Sequence, residues 1–180
     1  RCANCRFKPV KWLAEAYIFV MRGTPLMLQL FFFYYGLPFL PGIGQYLRLS
    51  SFAAAALSFT LNYAAYFAEI FRGGLLSIDR GQYEVSHVLG LTSFQTMTRI
   101  IIPQMIRVTL PSIGNEAITL VKDTALVASI ALPELLHYAK GIVTRDFTTT
   151  PFIVAAFIYL LITFVVTVLF KFAERKTNYE

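Results

Sequence analysis

Two carboxylates, Glu116 and Asp123, lie seven residues apart in a segment of the chain that is otherwise mostly apolar. In a helix this spacing is two turns, so both carboxylates would share one face with Thr119. Carboxylates on such a face can bind an ammonium or guanidinium group, and the attraction strengthens where water is excluded. Asn115 beside them, and Asn62 in an earlier apolar segment, could add neutral hydrogen bonds. These five residues are the predicted ligand-binding residues.

Each carboxylate also has a purely structural interpretation. An internal ion pair with Lys122 would hold the helix in place without touching a ligand. Asp123 is less suited to that pairing, because adjacent residues point about 100° apart around a helix. From the residues alone, the ligand-binding and the structural interpretation both stay open.

The elements that would hold these side chains are strongly apolar. Of the 180 residues, 57% are hydrophobic and 14% are charged, and the mean hydropathy is +0.61. About a quarter of an average soluble domain is charged. Four segments approach or exceed the roughly 20 residues that a spanning helix needs; they are 13–40, 51–71, 113–136 and 152–170. Because they lack the alternation of a membrane β-barrel, we predict an all-α integral membrane protein with about four transmembrane helices.

The distribution of Lys and Arg predicts how the chain is oriented. Basic residues are concentrated before the first apolar segment, between the second and third, and after the fourth. They are Arg1, Arg6, Lys8, Lys11, Arg72, Arg80, Arg99, Arg107, Lys171, Arg175 and Lys176. Since loops rich in Lys and Arg stay in the cytoplasm, both chain ends are predicted to be cytoplasmic. The net charge of +6 is explained in this way, and no nucleic-acid partner is expected.

The start of the chain carries a pair of cysteines. Cys2 and Cys5 form a single CxxC, and a four-ligand zinc site would need partners from elsewhere in the chain. We interpret the pair as incidental and predict no metal site. Residues 1–14 are predicted to be a cytoplasmic segment, and without an initiating Met or a signal peptide we expect its start to be truncated.

A polar segment, EVSHVLGLTSFQTMTRIIIP at residues 84–103, separates the second and third apolar segments. We predict one helix over Glu84–Leu89 that Gly90 ends. Ser93 is predicted to cap a second helix that ends at Pro103. Two short helices joined at a glycine would form a protruding elbow.

The tip of this elbow is predicted to be apolar, with Leu89, Leu91 and Phe94 exposed. Exposed apolar surface on a loop commonly marks the binding site of a partner protein. The alternative interpretation is a helix pair that lies on the lipid surface.

The spacing within this segment resembles the "EAA" loop of ABC-importer permeases, which runs Glu-Ala-Ala, three residues, Gly, nine residues and Ile-x-Leu-Pro. Here the matching residues are Glu84-Val85-Ser86, Gly90, Ile100 and Ile102-Pro103. Val85 and Ser86 replace the two alanines, and Ile102 replaces the leucine.

Three further strings resemble the polar amino acid branch of these permeases, and they occur in the same order. They are RGTPLMLQLFFFYYGLP at 22–38, NYAAYFAEIFRGGLLSIDRGQYE at 62–84 and LPSIGNEAITLVKDTALVASIALPELL at 110–136. The resemblance covers about residues 15–175. Members of this branch usually have a helix before the RGTP segment, so the resemblance implies either a truncated start or a shortened permease.

The resemblance implies a type I ABC importer permease fold over residues 15–175, with a cytoplasmic coupling loop at 80–111 and a cytoplasmic tail at 176–180. A second permease copy or paralogue, cytoplasmic ATPase subunits and an extracytoplasmic substrate-binding protein are the implied partners, beside the amino acid substrate and membrane lipid. This chain has no GxxxxGK[ST] phosphate loop. We therefore expect no cofactor and no enzymatic activity on this chain, because ATP is used by the partner ATPase. The chain itself is expected to be a multi-pass protein of the cell membrane.

The resemblance also assigns roles to residues. The implied ATPase-coupling residues are Glu84, Leu89, Gly90, Leu91, Thr92 and Phe94. Basic amino acids such as arginine are the first expectation for the substrate, on the strength of Glu116 and Asp123, and glutamine is the next. Because the Lys-Asp-Thr string occurs in members with different substrates, the structural interpretation is favoured for Asp123.

Two other functions stay open at this stage. A truncated permease could bind the ATPase as a membrane scaffold without forming a path. An ion-coupled secondary transporter could use the intramembrane carboxylates without any ATPase. The elbow favours the importer, because an ion-coupled carrier has no need of it.

Overall fold

The computed structural model describes residues 8–178, and over that range the chain is helical with no β-strand, as the sequence predicts. The α-helices are α1 Lys8–Gly23, α2 Leu26–Phe31, α3 Ser51–Ser77, α4 Arg80–Val88, α5 Ser93–Thr96, α6 Ile102–Asp123, α7 Leu135–Asp146 and α8 Thr150–Asn178. Two π-helical segments, Phe32–Gly36 and Met97–Ile101, and three 3₁₀ segments, Leu37–Phe39, Gly44–Tyr46 and Thr124–Ile130, lie between them. The predictions for Cys2 and Cys5 fall outside the described residues.

The chain forms two compact units. The first comprises the described residues up to Ala68 together with Ala125–Tyr138, and the second comprises Glu69–Thr124 together with the described residues from Ala139 onward. Helix α3 therefore begins in the first unit and ends in the second.

The core of the first unit is a small apolar cluster. Leu30, Ala55, Val127 and Ile130 are buried in it, so α2, α3 and the 3₁₀ segment Thr124–Ile130 all contribute. Aromatic and aliphatic side chains that pack around the cluster are Phe31, Tyr34, Phe59, Leu126 and Leu132.

The second unit depends on close helix packing at two glycines. Gly114 lets α6 approach α8, since an added Cβ would lie 3.1 Å from the ring of Phe170. Gly74, near the end of α3, lies against Thr109 and Met105 of α6. Small residues at these points let the helix backbones come together, as is common in membrane proteins.

The helices differ in how well they could cross a membrane. Among the described residues, one helix is long and apolar enough by itself, Thr150–Lys176 within α8, with a mean hydropathy of 2.8. The pair Pro9–Gly23 and Leu26–Phe39 reaches the same standard only if its 103° bend belongs to a single broken span. Helix α3 has 27 residues, but polar residues such as Asn62 and Glu69 lower its hydropathy. The predicted number of about four is therefore approximate.

The first and last predicted segments are helical, but α1 begins at Lys8 rather than residue 13, and α8 continues to Asn178 rather than residue 170. The first segment is interrupted at Pro25, between α1 and α2, and α8 contains the predicted segment 152–170. The third segment is wrong as a single helix over 113–136. Helix α6 ends at Asp123, and Ala131 has a φ of 55°.

Two prolines affect the helix boundaries in these regions. Pro133 disfavours helical geometry in the residue before it, so the 3₁₀ segment Thr124–Ile130 does not continue as helix into α7. Pro103 was predicted to end a helix, and instead it lies in the first turn of α6. The preceding π turn, Met97–Ile101, gives its ring room, so the helix continues past Pro103.

Candidate functional site

The predicted elbow is formed by α4, α5 and the turn between them. Asp79 caps α4, since its carboxylate accepts a hydrogen bond of 2.6 Å from the Gly81 N–H. At the other end, the Gly90 N–H donates to the carbonyl of His87, and the Leu91 N–H donates to that of Ser86. This is the Schellman arrangement, which needs a left-handed residue, and Gly90 has a φ of 73°. The prediction that Gly90 ends the first helix is confirmed.

The second helix of the elbow begins with a capping box. The Gln95 N–H donates to the Thr92 hydroxyl at 3.3 Å, and the Thr92 N–H donates to the Gln95 side chain at 2.9 Å. Thr92 is therefore the cap, and the prediction that placed it at Ser93 is wrong by one residue. Thr92 is the cap because Gln95 lies three residues after it, which is the spacing of a capping box.

The tip of the elbow carries exposed apolar side chains. Leu89 is 69% exposed and Phe94 is 77% exposed, while Leu91 is half-buried. Val88, at 87% exposure, belongs to the same surface and was not among the predicted residues. The sequence could have indicated Val88, because it directly precedes Leu89 at the end of α4. Glu84 is also exposed, on the body of α4.

An open groove lies beside this tip, within the second unit. It has a volume of about 280 Å³ and is lined by Tyr83, His87, Leu91, Ser93, Thr96 and Met97. Its lining mixes hydroxyl groups, an imidazole and aliphatic atoms. Such a groove can accept an amphipathic side chain from a partner protein.

Four of the predicted ligand-binding residues lie on α6, in the second unit. Glu116, Thr119 and Asp123 are half-buried and Asn115 is exposed. Because α6 is continuous across them, Glu116 and Asp123 are two turns apart on one face. The Thr119 hydroxyl donates to the Asn115 carbonyl at 3.0 Å, so that hydroxyl serves its own helix here.

Asn62, the fifth predicted ligand-binding residue, lies in the first unit and is only 5% exposed. Its side-chain amide nitrogen donates to the carbonyl of Met21 at 3.0 Å and to the Gln29 side-chain oxygen at 3.1 Å. Its role as a ligand stays a prediction, but in this structure its amide hydrogens bind groups of the protein.

The residue that sequence reasoning missed is Gln29, which is 7% exposed. Its amide nitrogen donates to the carbonyl of Met21 at 2.8 Å and to the hydroxyl of Thr24 at 2.8 Å. The sequence feature that could have indicated Gln29 is Pro25. Because proline has no N–H, the Met21 carbonyl, four residues earlier, lacks its usual helical donor. A buried amide near such a proline is a natural replacement for that donor.

The chain was compared with known protein families and with known proteins. The family described as "Binding-protein-dependent transport system inner membrane component" matches residues 2–179. The probable amino-acid ABC transporter permease protein YckA of Bacillus subtilis (strain 168) is 42% identical over 168 residues, covering 93% of this chain and 72% of that protein. The arginine transport system permease protein ArtQ of the same organism is 38% identical, covering 97% and 78%.

A third relative and a solved structure agree with this. The L-cystine transport system permease protein TcyB of Bacillus subtilis (strain 168) is 36% identical, covering 96% of this chain and 73% of that protein. A crystal structure of an amino acid ABC transporter with histidines has a TM-score of 0.84 at 36% identity, covering 94% of this chain and 77% of that one. The predicted family and fold are confirmed: the chain belongs to the inner membrane components of binding-protein-dependent transport systems, with the type I fold of an ABC-importer permease.

Proposed function

We propose that this chain is the transmembrane permease subunit of an ATP-driven importer of polar amino acids. The observation that carries the proposal is similarity over more than nine-tenths of the chain to permeases named for amino acids. A second permease, either a copy or a paralogue, completes the path. An extracytoplasmic binding protein delivers the substrate, and ATPase subunits on the cytoplasmic side supply the energy. Both chain ends lie on that side.

The elbow from Glu84 to Phe94 is the proposed contact with the ATPase. Its exposed Leu89 and Phe94 offer apolar surface, and no described atom lies within 4 Å of a Cβ added to Gly90. A partner surface can therefore approach the backbone closely at the turn. Leu91 and Thr92 complete the turn that would enter the ATPase.

The caps of the elbow suit it to transmit movement. The Schellman turn and the capping box fix both of its helix ends, so the elbow would shift as a body when the ATPases close. From Ser93 the chain continues as helix through the π turn into α6. Movement at the elbow would thus reach the helix that carries Glu116 and Asp123, without ATP chemistry or a cofactor on this chain.

The substrate is proposed to bind along α6, with a basic amino acid such as arginine first and glutamine next. Glu116 would attract a cationic group in a site with little water, and Asn115 and Thr119 would add neutral hydrogen bonds. Asp123 is given a structural role. The similar permeases are named for arginine, L-cystine, nopaline, octopine and glutamine, so the choice rests on the residues of α6.

The test is uptake into proteoliposomes that hold this chain, its ATPase and its binding protein. Labelled arginine competes against glutamine, glutamate and cystine, with and without Glu116→Gln. ATP-dependent arginine uptake that this substitution abolishes would support the proposal. The matched control is Glu174→Gln, near the end of α8, which should leave uptake unchanged.

Other results would each overturn part of the proposal. Glutamine uptake that is indifferent to Glu116→Gln would make that carboxylate structural. Bound ATPase without uptake of any amino acid would favour a non-transporting scaffold. Uptake driven by an ion gradient in the absence of the ATPase would favour a secondary transporter.

A further inference from the structure

The break between α1 and α2 leaves one backbone carbonyl without its helical partner. Pro25 has no N–H, so it cannot donate to the carbonyl of Met21, four residues earlier. Met21 is buried. Within a span water is not available to satisfy such a group, so the protein must supply a donor.

Two side-chain amides supply it together. Gln29 donates from Nε2 at 2.8 Å and Asn62 donates from Nδ2 at 3.0 Å, both to the Met21 carbonyl oxygen. Asn62 also donates to Oε1 of Gln29 at 3.1 Å, which joins the two amides to each other. We name this set of Met21, Gln29 and Asn62 the amide lock. It links the end of α1, the start of α2 and the middle of α3.

Contacts on either side of the amide lock join the same two helices. The Tyr17 hydroxyl donates to the carbonyl of Leu61, and the Arg22 guanidinium lies 5.3 Å from the ring centroid of Tyr66. The contact therefore runs from Tyr17 to Arg22 on α1, about one and a half turns, and the buried residues Met21 and Asn62 of the amide lock lie within it. All of these residues belong to the first unit.

We infer that the amide lock makes the α1–α2 bend and the part of α3 up to Ala68 move as one rigid body through the transport cycle, with Gln29 as its positioning residue. To separate α3 from the bend would leave the Asn62 amide nitrogen and the Gln29 Oε1 atom unpaired in apolar surroundings, which is strongly unfavourable. Because buried polar networks have few alternative arrangements, this one specifies a single geometry. The transport cycle in this inference rests on the proposed function.

The first test measures one distance in two states. In a Cys2→Ser, Cys5→Ser background, spin labels are placed at Phe19→Cys on α1 and Ala64→Cys on α3, both of which are exposed. The chain is studied in nanodiscs with its ATPase and binding protein. We expect one narrow distance distribution that is the same without nucleotide and with ATP bound. A distribution that shifts between these states would overturn the inference.

The second test removes the lock by isosteric substitution. Gln29→Met and Asn62→Leu each delete one amide and leave one atom of the other amide without its partner, so each should broaden the distribution and lower uptake per ATP hydrolysed roughly tenfold. The double variant should exceed the sum of the two, because it alone leaves the Met21 carbonyl without any donor.

The matched control is Ser58→Ala. Ser58 is buried on α3, one turn before Asn62, but its hydroxyl donates at 2.7 Å to Ala54 of the same helix. It should change neither the distance distribution nor the uptake ratio. If Gln29→Met leaves the distribution narrow, if its effect equals that of Ser58→Ala, or if the two amide variants add, the inference fails.

The two proposals fail in different ways. If the wild-type complex imports no amino acid with ATP, the proposed function is wrong. The comparison of wild type with Gln29→Met in the nucleotide-free protein would still decide whether the amide lock holds the bend to α3.

Discussion

Gly74 of α3 lies so close to Thr109 of α6 that a Cβ added to the glycine would be 2.3 Å from the threonine methyl group. The same Cβ would lie 3.0 Å from a side-chain carbon of Met105. Thr109 is buried, and its hydroxyl donates to the Met105 carbonyl at 2.9 Å, so it cannot easily move aside. The crossing of α3 and α6 within the second unit therefore requires glycine at this position.

We expect Gly74→Ala to destabilise the protein by about 1–3 kcal/mol, because the added methyl group overpacks the helix crossing. Thermal unfolding of the purified protein in detergent measures this. The neighbouring Gly73 gives the control, since no described atom lies within 4 Å of a Cβ added there. Gly73→Ala should be neutral or stabilising by up to about 1 kcal/mol, because alanine favours helix. Equal unfolding temperatures for the two variants would contradict this account of the crossing.

Gly90→Asp should abolish both the stimulation of the ATPase by substrate-loaded binding protein and the uptake of substrate. The substitution places a charged side chain at a turn with a φ of 73°, where the proposed ATPase surface approaches. Gly90→Asn separates strain from contact, since asparagine tolerates this backbone geometry while it still adds bulk. We expect Gly90→Asn to fold normally and to lose coupling. Normal coupling in both variants would argue against the elbow as the contact.

Thr92→Ala should loosen the start of α5. It removes the hydroxyl that accepts from the Gln95 N–H, and loss of such a cap costs about 1 kcal/mol. Hydrogen exchange at the amides of residues 93–96 should accelerate, and the affinity for the ATPase should fall. Ser93→Ala is the control, because Ser93 is the first helical residue and makes no capping bond. A larger effect of Ser93→Ala than of Thr92→Ala would show that Ser93 is the cap.

With the structural role proposed for Asp123, an internal ion pair, Asp123→Asn should lower the unfolding temperature because it removes one charge of that pair, and it should leave the preference between arginine and glutamine unchanged. Asp123 is the last residue of α6, directly before the 3₁₀ segment Thr124–Ile130, where the helix geometry changes. Uptake competition and thermal unfolding, measured on the same preparation, separate the two roles. A change of preference without a change of stability would make Asp123 a substrate ligand.

Some helix boundaries were predictable because their causes are local. The break at Pro25 follows from a missing N–H and a fixed φ, and the end of α4 at Gly90 follows from a residue that tolerates positive φ. The mistaken helix over 113–136 shows the limit of hydropathy. The predicted segment stays apolar through Val127 and Ile130 because these residues are buried in a core. They do not belong to a continuous helix.

By itself, the sequence determined the all-α class, the order of the apolar segments, the break after α1 and the glycine turn of the elbow, because short-range backbone sterics and composition decide these features. Only the tertiary structure decided that Gln29 and Asn62, 33 residues apart, bind one carbonyl, and that Gly74 meets Thr109. Such pairings depend on how helices pack, and packing is a property of surfaces brought together from distant parts of the chain. The sequence predicted Asn62 as a ligand-binding residue, and its partners within the protein emerged only when α1 and α3 met.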